Sequence, residues 1–461
     1  MADLDSTQTK ISFRTAVAYW LKLGLMSFGG PAGQIAMMHQ ELVDKRHWIS
    51  EKRFLNALNY TLLLPGPEAQ QLATYMGWLM HGLWGGLIAG VLFVLPAFVI
   101  LVALSWGYMA YGDVSWVAAV FDGIQPAVLA IVLVAVYRLA SRVLHHRLLW
   151  SIALASFIGI AVFQLPFPLI ILLALMTGLL LSRVAPKILQ TPLSSQSYET
   201  ASNEALIGDE THLPHTQFHW RRFVMICLVA LIVWLGGLAG LVLLSGQSDI
   251  WQAFWVQLAW FFTKAAWLTF GGAYAVLPYV YQGAVEHYGW LTAPQMMDGL
   301  ALGETTPGPL IMVVTFIGFV AGWGQMAWTD MSPFMNGLVA AAIVTCFSFL
   351  PSFLLILAGA PLMESGRENV RLKGLLTAVS AALVGVMLNL AVFFGYHVLW
   401  SQLPTLSSGF AGWLGVEWFA LGIVLLALWL MLTRHWGFIS VIALSALLGV
   451  VQMILTQLQV A

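Results

Sequence analysis

Phe28-Gly29-Gly30 returns as Phe270-Gly271-Gly272, and Pro65-Gly66-Pro67 returns as Pro307-Gly308-Pro309, each 242 positions later. In the same gapless register Lys22 pairs with Lys264, Gln40 with Gln282, Val43 with Val285, Trp48 with Trp290 and Leu58 with Leu300. Further along, Leu95-Pro96-Ala97-Phe98 matches Leu350-Pro351-Ser352-Phe353 at an offset of 255, because the second copy carries a longer connection. A shared register through polar and apolar positions alike marks two homologous halves. Whatever the fold, it is built twice, around backbone that Gly and Pro interrupt at the same places.

The solvent follows from the segments between those breaks. Apolar stretches near the ~20 residues needed to cross a bilayer lie at 14–30, 83–108, 116–140, 148–163, 165–183, 221–245, 251–270, 334–358, 372–397, 413–432 and 436–457. Charged residues are 8% of 461, too few to cover a water-soluble surface of this size. The class is an all-α polytopic membrane protein; a β-barrel would not carry such long continuous runs. A net charge of −1 gives no field to attract nucleic acid. Cys227 and Cys346 lie in apolar stretches, too few for a disulfide framework or thiolate metal site. The polar residues 1–14 do not read as a cleaved signal. Among chemical motifs there is no phosphate-binding loop, dinucleotide fingerprint, catalytic triad order or haem attachment site, so no cofactor is expected.

Three units are expected: an N-terminal repeat over 1–183, a polar linker plus connecting transmembrane helix over 184–250, and a C-terminal repeat over 251–461. The Ser- and Thr-rich linker reads as solvated, and its His212, His215 and His219 as an ordinary loop cluster. The extra span at 221–245 would invert the second half if each half crosses an even number of times. Charge agrees with inversion. Lys45, Arg46, Lys52 and Arg53 follow the first Gly-Gly break, while His287, Tyr288, Pro294 and Gln295 hold the matching positions. That asymmetry is what the positive-inside rule expects of inverted copies. It is satisfied best if 14–30 and 55–82 dip into the bilayer and return.

The interruptions point to function. Residues 55–64 and 68–82 are expected as half-helices, with Gly66 making the turn and Pro67 in the first turn of the second. Pro31 starts another after Gly29-Gly30, and counterparts follow Gly271-Gly272 and Gly308-Pro309. Helix starts at membrane depth offer free N–H groups and a positive dipole end to an anion, and irregular backbone persists there only beside a cavity or inside protein. Ser27, Thr269, Gln70, Gln71, Thr305 and Thr306 are candidates to add hydrogen bonds, and Lys22 and Lys264 to offset charge or else to snorkel to the interface. Glu68 and Glu304 are candidate proton carriers or helix caps; they do not align, because Leu310 occupies the position equivalent to Glu68. Asn56, Asn59 and Asp298 are weaker candidates. Gly82, Gly86 and Gly90 form a small-residue face for helix packing.

On Ser27-Phe28-Gly29-Gly30-Pro31, Met38-His39, Glu41, Arg46-His47-Trp48 and Leu64-Pro65-Gly66-Pro67-Glu68 in the first half, the chain resembles the chromate ion transporter family, in its long two-domain form. Thr269-Phe270-Gly271-Gly272-Ala273-Tyr274, Gly303-Glu304-Thr305-Thr306-Pro307-Gly308-Pro309 and Gly385-Val386-Met387-Leu388-Asn389 carry the resemblance in the second. The resemblance implies two oppositely oriented repeats in a bacterial inner membrane, and chromate export driven by the proton gradient that confers chromate resistance. The partners would then be an oxyanion, protons and lipid, with a homodimer possible. Sulfate or another tetrahedral oxyanion is the alternative cargo. A chromate-reducing membrane enzyme is a more distant one, against which the missing cofactor motifs argue.

Overall fold

The computed structural model describes residues 11–28, 30–112, 114–184, 205–208, 211, 213–245, 251–364, 370–400 and 415–460. Gly29, His212 and the linker residues 185–204 lie outside the described residues. The described chain is helical, with two isolated bridges, Ile49 to Ile207 and Trp400 to Val416.

The first half runs α1 (Phe13–Met26), α2 (Gly30–His39), α3 (Glu51–Thr61), α4 (Glu68–Tyr111), α5 (Ser115–Val143), α6 (Arg147–Ala161) and α7 (Phe167–Val184). A single helix, α8 (Trp220–Ser245), leads to the second half. There α9 (Phe254–Leu268), α10 (Ala273–Tyr281), α11 (Ala293–Thr305) and α12 (Val313–Gln325) precede α13 (Pro333–Glu364), α14 (Val370–Leu399), α15 (Trp418–Thr433) and α16 (Phe438–Val460). Among the described residues six helices are long and apolar enough to cross a membrane, so the chain is a multi-pass membrane protein.

Local chemistry repeats with the sequence. Ser50 Oγ accepts the Arg53 N–H at the start of α3, and Thr292, 242 positions on, caps α11 in a capping box with Gln295. Each copy also inserts one π-helical turn at the same register, Gln40–Lys45 and Gln282–His287. Such turns are rare and tend to mark functional places.

The 44 residues of α4 do not form one straight rod. His81 (φ −138°, ψ 23°) and Gly82 (φ 65°, ψ −152°) reverse the chain, so α4 is a hairpin of two arms, 68–80 and 83–111. A Cβ on Gly77 would fall 2.4 Å from the Gly85 carbonyl oxygen, and one on Gly90 2.4 Å from Thr74 Oγ1. Gly86 and Gly90 thus form the expected packing face, while Gly82, expected to share it, is the turn itself, with nothing within 4 Å of its Cβ position. The second copy makes the same hairpin from α12 and α13: Cβ atoms on Gly318 and Gly322 would strike Ala340 and Asn336 backbone oxygens. The longer turn between α12 and α13 accounts for the change of offset.

One end of the bundle gathers His47–Ser50, the turn at His81 and the described linker. Leu206 and Ile207 donate N–H groups to His47 and Trp48 carbonyls, Arg53 donates to the Thr211 carbonyl at 2.7 Å, and His215 Nε2 meets the Leu79 carbonyl at 3.2 Å. This part of the linker is docked rather than freely solvated, because Leu206 and Leu213 pack on the core of the first half. The other end gathers Trp255 against Trp328, with ring centres 4.4 Å apart, and Phe167, whose N–H donates to Gln282 Oε1.

Candidate functional site

Both interrupted segments meet in the middle of the bundle, and they meet reciprocally. The Gly66 N–H donates to the Thr269 carbonyl at 2.7 Å, and the Gly308 N–H donates to the Ser27 carbonyl at 2.9 Å. These two bonds exchange under the 242-residue register, so the halves share a two-fold contact built from backbone alone. Glycine is required: φ is +130° at Gly66, +106° at Gly308, +72° at Gly30, +77° at Gly271 and +101° at Gly272. A Cβ at Gly66 would lie 2.4 Å from Ser352 Oγ, and one at Gly308 2.5 Å from the Ala97 Cβ. Ala97 and Ser352 are themselves register partners in the Leu-Pro-x-Phe motif.

The expected residues divide into a frame and a face. Ser27 Oγ donates to the Leu23 carbonyl and Thr269 Oγ1 to that of Ala265, each within its own helix. Thr305 and Thr306 donate likewise to Leu302 and Gly303. With their hydroxyls returned to backbone and the Gly66 and Gly308 N–H groups committed across the halves, these six residues hold the frame. Pro67 is the N-cap of α4 rather than part of its first turn, and Pro309 leads through a single 3-10 turn, Leu310–Met312, before α12 begins. Pro31 sits second in α2, as expected.

The face lies at the start of α10. Gly272 caps that helix with no side chain satisfying its N–H groups, and Glu68 Oε1 lies 3.6 Å from where a Gly272 Cβ would be. Gly271 is exposed, with Ser380 Oγ at 3.6 Å from its Cβ position. A carboxylate from the first half therefore faces a helix start from the second, and small residues keep the space open. Arg142 of α5 lies within electrostatic reach of Glu68, and Arg138 within reach of Tyr274. Buried Glu304 accepts a short hydrogen bond from the hydroxyl of Tyr274, the second residue of α10. The two misaligned carboxylates thus converge on the same helix.

Buried amides surround the break. Gln70 Nε2 donates to Thr74 Oγ1 and Gln71 Nε2 to the Pro65 carbonyl, while Gln34 Nε2 bridges the Ser27 and Gly308 carbonyls at 3.1 and 2.6 Å. All three side-chain oxygens are buried without a partner among the described residues. Gln34, Arg138, Arg142 and Ser380 were not singled out by the sequence. The signal was weak for each: Gln34 lies outside the Gly-Pro motif, and nothing in the spacing brings the arginines towards Glu68.

The two lysines sit apart from this face. Lys22 is exposed on α1. Lys264 is half-buried, its Nζ 5.8 Å from the Trp260 ring centre, in an apolar cavity of about 710 Å³ walled by Trp234, Trp267 and Leu354. Among the described residues one group has metal-ligand chemistry, His39 between Asp44 (3.3 Å) and Glu51 (2.6 Å). Both ring nitrogens face a carboxylate, so the histidine staples α2 to α3. Beside it Glu41 holds Lys45 and Arg46, and the Lys45 hydrogen bond, with Arg46, pulls its carboxyl below the usual range.

Residues 15–179 and 256–450 match the Chromate transporter family. A chromate transport protein of Pseudomonas aeruginosa is 32% identical over 93% of this chain and 90% of its own length. A probable chromate transport protein of Synechococcus elongatus is 28% identical over 89% of this chain and 92% of its own. An uncharacterized transporter of Bacillus subtilis aligns over 36% of this chain but 86% of itself, at 26% identity. No solved structure matches the chain.

Proposed function

The chain belongs to the chromate transporter family, and from that premise we propose that it exports chromate from the cytoplasm as a secondary carrier rather than an enzyme. The observation that carries the reading is the face at Gly271-Gly272: a helix start kept clear by glycine and faced by a carboxylate from the other half, with two exposed arginines of α5 within electrostatic reach. A tetrahedral dianion would take the N–H groups of α10, with Arg138 and Arg142 supplying charge from α5.

Coupling follows from the same geometry. Glu68 as a carboxylate competes with the anion for the α10 start, so taking up a proton favours the anion. An inside-negative potential drives each charge outward by about 2.3 kcal/mol per 100 mV, which for a dianion exceeds the opposing movement of one accompanying proton. The energy source is thus the electrical part of the proton gradient, against which its pH part acts through the accompanying proton, and cells holding the protein resist chromate. The halves are inverted, with the 45–53 turn cytoplasmic. This is supported by the cations at 45–53, by their docking with the linker, and by the match of a half-length relative. The location is a bacterial inner membrane.

Cells expressing the chain should accumulate less labelled chromate than control cells, and reporter fusions at 45–53 and 287–295 should report opposite sides. Equal or greater accumulation would refute export; reporters on one side would refute inversion.

A further inference from the structure

The two-fold match of the halves breaks at one pair of helices. Asp298 on α11 is 4% exposed; Asn56, at the same register on α3, is exposed, as is Asn59 one turn on. Asp298 accepts hydrogen bonds from the Tyr108 hydroxyl of α4 at 2.9 Å and from Gln125 Nε2 of α5 at 3.0 Å. Exposed Asp122 on α5 is the other carboxylate within electrostatic reach. At the offset of 255, Gln125 corresponds to Ser380 on α14, the residue beside exposed Gly271. Polar Asn56 and Asn59 on a half-helix within the membrane require water rather than lipid beside them. The α3 end is therefore the solvated one, with Gly271 exposed as well, while the α11 end is shut by the Asp298 hydrogen bonds.

We propose that Asp298 is the latch of the outer gate, and that in the opposite state Asn56 closes on Ser380 as Asp298 now closes on Gln125. The inference rests on the carrier reading and deepens it by naming a positioning residue for each half of the cycle. An acid on one side and an amide on the other gives the resting bias: hydrogen bonds to a charged acceptor are about twice as strong as neutral ones, so the outer latch holds better than the inner.

The test uses full-length protein in which Cys227 and Cys346 are replaced by alanine. The reporter variant carries Asn56→Cys with Ser380→Cys and keeps the Asp298 latch, in liposomes with an oxidant. The pair should cross-link slowly at rest, with chromate on the α3 side raising the yield severalfold. Adding Asp298→Ala to the inner pair should raise its resting yield roughly tenfold, the worth of a lost charged hydrogen bond. Tyr108→Phe with Gln125→Ala should do the same if the aspartate variant fails to fold. The locked inner pair should stop transport until reduced. An inner pair that never cross-links, or whose yield ignores both latch variants while transport continues, overturns the gate and leaves the carrier. Cross-links that respond to another oxyanion and not to chromate would instead refute the substrate and support the gate.

Discussion

Pro65-Gly66-Pro67 and Pro307-Gly308-Pro309 are the same tripeptide in the same backbone role, yet they are surrounded differently. Each central glycine donates to a carbonyl of the opposite half. Around Gly66 lie polar Ser352 and Gln71, and Glu68 follows; around Gly308 lies Ala97, and Glu304 precedes. Backbone is conserved between the copies while charge is not. A symmetric frame lets either end open by the same movement, and asymmetric carboxylates make the cycle run with a preferred direction and a proton.

The largest effect should come from breaking the frame itself. Gly66→Ala and Gly308→Ala each force a Cβ into a positive-φ position and a contact near 2.5 Å, at a cost of roughly 1–3 kcal/mol from backbone strain alone. Both should abolish chromate flux and lower thermal stability in detergent. Gly308→Ala should be partly rescued by Ala97→Gly, which removes the clash but not the strain; full rescue would show that φ is unimportant there.

Next comes the asymmetry. Glu68→Gln should reduce flux driven by a pH gradient at least tenfold and spare chromate exchange, while Leu310→Glu, which places an acid at the symmetric position, should not replace it. Arg142→Gln should raise the half-saturating chromate concentration by about three- to tenfold, the worth of one charge-assisted contact; Lys22→Gln on the exposed face of α1 should leave it unchanged. Equal effects at Arg142 and Lys22 would place the anion elsewhere.

Much of this was legible from residues alone. Glycine frees φ and proline fixes it and removes a donor, so their repetition exposed the halves, the breaks and even the packing face at Gly86 and Gly90, though not the turn at Gly82. Depth and neighbours were less legible. Lys22 and Lys264 align perfectly, but one points outward and the other lies against Trp260, because which face of a helix turns inward depends on its tertiary partners. The arginines of α5 gave no signal, since nothing in the spacing says that α5 passes near Glu68. Linker docking was missed because Leu206-Ile207 is a short apolar pair in a polar stretch.

The smallest effect belongs to that linker. Burial pushes the His215 imidazole below its ordinary value of 6.5, so the docked form prefers neutral histidine. Docking should be complete above that value and weaken as pH falls through it, since the released chain binds more protons. Hydrogen-exchange protection at residues 205–208, 211 and 213–216, relative to the intrinsic rate at each pH, should fall modestly between pH 7 and pH 5.5, and His215→Gln should remove that pH dependence.

The central claim is that a chromate anion crosses at the α10 start, with Glu68 linking it to a proton. Purified protein in liposomes, given labelled chromate and an imposed membrane potential or pH gradient, tests it directly. Saturable chromate movement under potential is expected for both the wild type and Glu68→Gln, with the response to a pH gradient lost only in the variant. No chromate movement above protein-free liposomes under any gradient, or an unchanged pH response in Glu68→Gln, would contradict it.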